Sequence, residues 1–116
     1  IQGVCKVDVE LGDVVQKWLP EPHCFLGELS FVPRTPTSTT NEIDEDHGYL
    51  IGYMMNGRDQ TSSLVVLDAK DISQGPIQTC PLPAFIPHAL HGTFIPGFVP
   101  EWTDQIQATF PPQRSN

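Results

Sequence analysis

Positive charge is scarce in this chain. Six Lys and Arg face fourteen Asp and Glu across 116 residues, a formal net charge of −8, and no basic cluster offsets it. A surface of that sign repels polyanions, which argues against a nucleic-acid partner. No apolar run approaches the roughly 20 residues of a membrane span, and no secretory signal is visible. Cysteine is sparse: Cys5, Cys24 and Cys80 form an odd set with no C-x-x-C spacing. They read as reduced, mostly buried thiols of an intracellular protein, not as a disulfide framework. His23 and Cys24 do not make a nucleophile–base pair either. Neighbours on a strand point to opposite faces, and such dyads are assembled from distant segments.

What is present is a globular composition, 39 % hydrophobic and 17 % charged, in a chain long enough for one small domain. Twelve prolines and nine glycines favour short strands and turns over long helices. Val4 to Val9 alternates with the period of a half-buried strand, Leu11-Gly12-Asp13 turns, and Asp13 to Leu19 returns to complete a hairpin. Pro20-Glu21-Pro22 ends it, because proline cannot donate to a sheet ladder. Further strands are expected over Glu28 to Val32, Gly48 to Met55, Ser63 to Asp68 and Ile77 to Leu82, with the Ser63 run buried on both faces. Asn56-Gly57 marks a turn. His91 to Ile95 reads as a last strand. The Thr/Ser/Pro stretch from Thr35 to Asn41 is a surface loop by composition, Glu101 to Ala108 has room for one helical turn, and residues 110–116 read as a disordered tail. The acidic run Glu42 to Asp46 fails as a calcium loop, because the Asp44/Asp46 spacing is not continued at Gly48 and no glutamate follows at the required offset. The result is all-β: a run of short antiparallel strands, four of which, from Glu28 to Leu82, suffice for one meander. A propeller blade requires that; a sandwich fits as well.

Four blocks carry a resemblance. Gly27-Glu28-Leu29-Ser30-Phe31-Val32-Pro33-Arg34, Glu45-Asp46-His47-Gly48-Tyr49-Leu50, Leu64-Val65-Val66-Leu67-Asp68-Ala69-Lys70-Asp71 and Pro87-His88-Ala89-Leu90-His91-Gly92-Thr93-Phe94 resemble, in order and in spacing, the C-terminal part of carotenoid cleavage oxygenases. The resemblance implies that residues 1–116 are the last blade or blades of a seven-bladed β-propeller, a fragment of a longer polypeptide. It implies a non-haem Fe(2+) dioxygenase that cleaves a conjugated C=C bond of a carotenoid or apocarotenoid with O2 to give carbonyl products. The chain's opening at Ile1, without Met and directly in a strand pattern, fits the same expectation.

Carried over residue by residue, His91 falls on one of the family's four iron-binding histidines and Glu28 on a glutamate that orients such a ligand. Neutral imidazole suits Fe(II), and four neutral ligands leave positions open for O2. A carboxylate on the far N–H of a ligating histidine sets its tautomer and ring direction. Which histidine Glu28 serves is left open, His91 being one candidate. This chain departs from the family at Leu29, at Asp46-His47, and at His88 and Leu90 before the ligand. The last two leave the substrate open. The implied partners are a lipophilic polyene and O2, with peripheral membrane contact in the full-length protein, in the cytoplasm or a plastid.

Without the family, His91 is a histidine at a strand end and Glu28 a solvated carboxylate. His88 reads as a solvent-facing or tunnel-lining residue, since an H-x-x-H pair on an extended segment sends its rings to opposite sides. His23 and His47 read as exposed loop residues, and Trp18 and Trp102 as packing. A small non-catalytic β-domain, serving as a binding or interaction module, is the alternative. One matched ligand out of four means that these 116 residues alone are expected to be inactive.

Overall fold

The computed structural model describes residues 2–34, 44–88 and 90–98. The expectations for Thr35 to Asn41, for Glu101 to Ala108, for Trp102 and for residues 110–116 lie outside them. Six strands form two antiparallel sheets. β1 (Val4–Asp8) pairs with β2 (Asp13–Trp18), and β3 (Cys24–Pro33), β4 (Gly48–Asn56), β5 (Thr61–Asp68) and β6 (Pro76–Pro81) form a meander in sequence order. The expected hairpin and four-stranded meander are both present. β3 begins earlier than expected, at Cys24, because His23 takes a left-handed conformation (φ 69°) that turns the chain into the strand. Histidine, like asparagine, is among the non-glycine residue types that tolerate this region.

The meander has two faces, each assembled from alternate residues. One carries Leu26 and Leu29 of β3, Leu50 and Met54 of β4, and Val65 and Leu67 of β5. Leu26, Val65 and Leu67 are fully buried there together with Ile72 of the 3-10 turn Ile72–Gln74, and Val4 and Trp18 pack onto them from the hairpin. The expectation that β5 is buried on both faces holds only for Ser62, Val65 and Leu67; its remaining residues are half-buried, apart from exposed Thr61. Two polar links tie the hairpin down. Lys6 pairs with Asp46 and also donates to the carbonyl of Ala69. Gln16 donates to the carbonyl of Lys70 and accepts from the Ile72 amide. Lys6 holds the Asp46 carboxyl below its ordinary range, chiefly through this hydrogen bond. Gly75 closes the same corner at φ 75°, where an added Cβ would stand 2.6 Å from Trp18 Nε1.

Across the far end of the strands, Arg34 pairs with Asp68 at 2.9 Å and lies over the Tyr49 ring at 4.4 Å. Three strands are thereby joined by one guanidinium. Two burial expectations are corrected. Cys24 is buried but Cys5 and Cys80 are exposed: Cys5 falls on the outward side of the alternating β1, and Cys80 lies on the edge strand β6, which is exposed along nearly its whole length. His47 is half-buried, its amide bonded to the Asp44 carbonyl and its carbonyl to the Arg34 amide.

The expected last strand, His91 to Ile95, does not form. After Leu82, whose amide still bonds to the Ser62 carbonyl, the chain leaves the sheet edge and crosses the second face of the meander as a strap. Its backbone groups go to side chains rather than to a ladder. Residue type alone favours a strand at Thr93-Phe94-Ile95, but these residues pair with no strand among the described residues.

Leu67→Ala removes a side chain with no exposed surface and is expected to cost about 2–5 kcal/mol. Ile77→Ala, at a half-exposed position of β6, is expected to stay within about 0.5 kcal/mol. Denaturant midpoints of the two variants check the difference.

Candidate metal-ligand site

β3 is irregular between Leu26 and Leu29, where its register against β4 shifts. Gly27 and Glu28 occupy that bulge, and bulges re-aim side chains. The bulge approaches β4 so closely that a Cβ on Gly52 would lie 2.8 Å from the Glu28 carbonyl oxygen and 2.6 Å from Leu29 Cδ2. Glycine at 52 thus allows β3 to sit where Glu28 reaches the strap.

The strap is held at three points. Ser62, buried in β5, donates its hydroxyl to the Ile86 carbonyl at 2.9 Å and accepts from the Ile86 amide at 2.9 Å. Ser30 of β3 donates to the Gly92 carbonyl at 3.4 Å. Glu28 Oε2 receives the Gly92 amide at 3.3 Å and stands 3.1 Å from His91 Nδ1. The two residues singled out in the sequence, 63 positions apart, are therefore in direct contact, and among the described residues His91 is the histidine that Glu28 touches.

Both side chains are open to solvent, Glu28 at 48 % and His91 at 78 % relative exposure. The hydrogen bond from His91, and then that from the Gly92 amide, hold the Glu28 carboxyl below its ordinary range. An ionised carboxylate only accepts, so Nδ1 of a neutral His91 carries the proton and Nε2 keeps its lone pair. Among the described residues no group of three or more His, Cys, Asp or Glu is placed to hold a metal. His23 and His47 lie in other loops.

Two clefts meet at this pair. One, of about 170 Å³, lies between the strap and the second sheet face, with Ile51, Tyr53, Leu64 and Leu90 on its walls. The other, of about 610 Å³, opens beside β1 and is bordered by Val4, Leu26, Leu29, His88 and His91. Sequence reasoning missed the Ser62 clamp and the Ser30 contact. Nothing in a Thr-Ser-Ser run marks one hydroxyl as buried against a segment 24 residues away.

The profile of the retinal pigment epithelial membrane protein family matches residues 1–96. The chain belongs to this family, that of the carotenoid cleavage oxygenases. Over 93 residues it is 36 % identical to the chloroplastic 9-cis-epoxycarotenoid dioxygenase of Arabidopsis thaliana, covering 80 % of this chain and 15 % of that protein. It is 41 % identical over 69 residues to the isoeugenol monooxygenase of Pseudomonas nitroreducens, 60 % of this chain and 13 % of that one. The structure of cobalt-substituted Synechocystis apocarotenoid oxygenase superposes with a TM-score of 0.66 at 37 % identity, over 78 % of this chain and 18 % of that one. The chain thus spans less than a fifth of the length of these relatives, and its all-β fold superposes on part of the carotenoid oxygenase structures.

The family blocks acquire physical meaning from the contacts. Glu28 and His91 pair, Arg34, Tyr49 and Asp68 cross-link three strands, and Asp46 receives Lys6. For a carboxyl whose pKa is lowered by folding, the stabilisation is present above the ordinary carboxylate pKa and lost as pH falls through the lowered value. Acid should therefore release the strap from Glu28. Carbon-detected NMR of Glu28 should give a titration midpoint below the ordinary 4.5, moving back toward it in His91→Ala; an unchanged midpoint would remove the pairing.

Proposed function

We propose that this chain is the C-terminal piece of a non-haem Fe(II) dioxygenase that cleaves a conjugated C=C bond of a carotenoid or apocarotenoid. One O2 is consumed, and each former alkene carbon becomes a carbonyl. The observation that carries the reading is the Glu28–His91 contact, joined to membership of a family whose named relatives include carotenoid dioxygenases.

The donor chemistry fits one corner of an iron site. His91 offers Nε2, a neutral nitrogen donor of the kind Fe(II) accepts. Glu28 holds the opposite nitrogen and fixes the ring direction, while Ser62 and Ser30 hold the strap on which His91 rides. When bound, iron would supply O2 activation beside the alkene. The described residues provide no cluster of three or more ligands, and the remaining ligands are assigned to polypeptide outside this chain. The structure of a cobalt-substituted relative supports a metal-dependent reading. The apolar walls of Ile51, Leu64 and Leu90 beside His91 suit a lipophilic polyene by excluding water. A relative named for isoeugenol supports a wider range of conjugated alkenes.

Among the described residues no helix is long and apolar enough to cross a membrane. The proposed setting is the cytoplasm or a plastid, with peripheral membrane contact for uptake of the lipophilic substrate; a chloroplastic relative supports the plastid. The absence of a ligand cluster of three among the described residues is the one observation that favours the second reading, a non-catalytic β-module. The length of the native polypeptide separates the two. Only a product several blades longer than this chain has room for the other ligands.

In the full-length protein, His91→Ala is expected to lose both iron and cleavage. Glu28→Gln, which keeps the shape but disturbs the tautomer, should retain the site with metal affinity or turnover reduced about 10–100-fold. Metal analysis and product assay check both. Turnover retained by His91→Ala would sink the ligand assignment.

A further inference from the structure

We infer that Ser62 is a positioning residue for the metal site: its hydroxyl docks the strap, and strap docking is linked to metal binding at His91. The inference rests on the ligand reading above and adds the residue that controls the ligand from a distant strand.

Ser62 is the one buried polar residue among the described residues. A hydroxyl taken out of water needs partners, and this one uses both its roles on a single residue. It donates to the Ile86 carbonyl and accepts from the Ile86 amide, each at 2.9 Å. Two bonds exchanged with one residue are what a neighbouring backbone supplies in an antiparallel ladder; here a side chain takes that place. The Ser62 carbonyl also accepts the Leu82 amide at 2.8 Å, just beyond the last paired residues of β5 and β6. One residue therefore grips the chain twice, before and after the exposed Pro83-Ala84-Phe85 segment, and fixes where the strap begins. Pro87 follows at once, with its φ held by the ring. Leu64, two residues along β5, borders the cleft under Leu90 and His91, so Ser62 lies on the face that the strap crosses.

The other anchors are weaker. The Gly92 amide stands 3.3 Å from Glu28 and its carbonyl 3.4 Å from Ser30, both longer than the usual hydrogen bond. The Glu28–His91 pair is open to solvent. Past Ile86 every described residue of the strap is exposed, so no buried side chain there holds it to the sheet. A segment fastened in this way opens locally while the sheet stays folded. When it opens, His91 leaves Glu28 and the metal loses a preset ligand. Apparent metal affinity then follows the docked fraction, and metal bound at His91 in turn favours docking. Removing the Ser62 hydroxyl leaves the amide and carbonyl of half-buried Ile86 without their partner, which is expected to raise the ratio of undocked to docked strap about tenfold.

The test uses the full-length protein, without metal and loaded anaerobically with Fe(II). Amide exchange by mass spectrometry follows a peptide from Leu90 to Ile95, which carries the Gly92 amide, and a β4 peptide as reference. Iron affinity is read by chelator competition for the native protein, Ser62→Ala, Ser62→Thr and His91→Ala. Ile86→Pro, which removes the amide that Ser62 accepts, stands in should Ser62→Ala fold poorly. Iron is expected to slow exchange at Leu90 to Ile95 in the native protein. Without metal, Ser62→Ala should speed it about tenfold and leave β4 unchanged. Its iron binding should weaken severalfold, by no more than that factor. Ser62→Thr, which keeps the hydroxyl, should restore both. Unchanged strap exchange in Ser62→Ala overturns the inference, and so does a rise shared by β4, which would make Ser62 a residue of the fold alone. Strap exchange indifferent to iron, together with native iron affinity in Ser62→Ala, overturns the link to the metal. If His91→Ala keeps native iron affinity, the ligand reading fails separately, and the exchange comparison still decides whether Ser62 positions His91.

Discussion

Everything about the site depends on one carboxylate. Glu28 takes the Nδ1–H of His91 and the amide of Gly92 on the same oxygen, and so joins a strand to a strap 63 residues further along the chain. Three features make that contact available. The β3 bulge aims Glu28 at the strap, the absence of a side chain at Gly52 lets the bulge settle against β4, and the Ser62 clamp delivers the strap to the right place. Take away any one of them and the carboxylate and the imidazole are simply two solvated side chains.

The remainder of the molecule acts as a frame for this contact. Leu26, Val65, Leu67 and Ile72 bury one face of the meander under the β1–β2 hairpin, which leaves the other face for the strap and its two clefts. A two-stranded hairpin alone is marginal in water. Here it gains the packing of Trp18 and Val4 and the Lys6 link to the loop that precedes β4. The apolar residues it still exposes, such as Val9, Leu11 and Leu19, accord with a chain that covers less than a fifth of its relatives.

The strands were legible because their cause is local. Alternation in Val4 to Val9, the aliphatic run at Leu64 to Leu67 and the turn signals between them suffice to order a meander. The strap was not, because its cause is distant. Thr93, Phe94 and Ile95 have strand-like side chains, and only the Glu28 and Ser30 contacts on the sheet face explain why they do not join a ladder. Glu28 and His91 were each visible through family resemblance, but their pairing was not, since a bulge and a crossing strap bring them together. Ser62 had no signal: its hydroxyl matters through burial at 3 % exposure and through a partner in a segment the strand never neighbours in sequence. Cys5 and Cys80 failed the burial expectation for a related reason, since composition says which residues tend to be inside but not which side of β1 turns inward or that β6 is an exposed edge.

The central claim is that His91 meets the metal through Nε2 while Nδ1 stays on Glu28. The most direct measurement is a crystal structure of the full-length, metal-loaded protein with the metal located by anomalous scattering. The account predicts density for the metal bonded to His91 Nε2, with the Glu28 carboxylate still on Nδ1. A metal bound elsewhere, with His91 facing solvent, would contradict it.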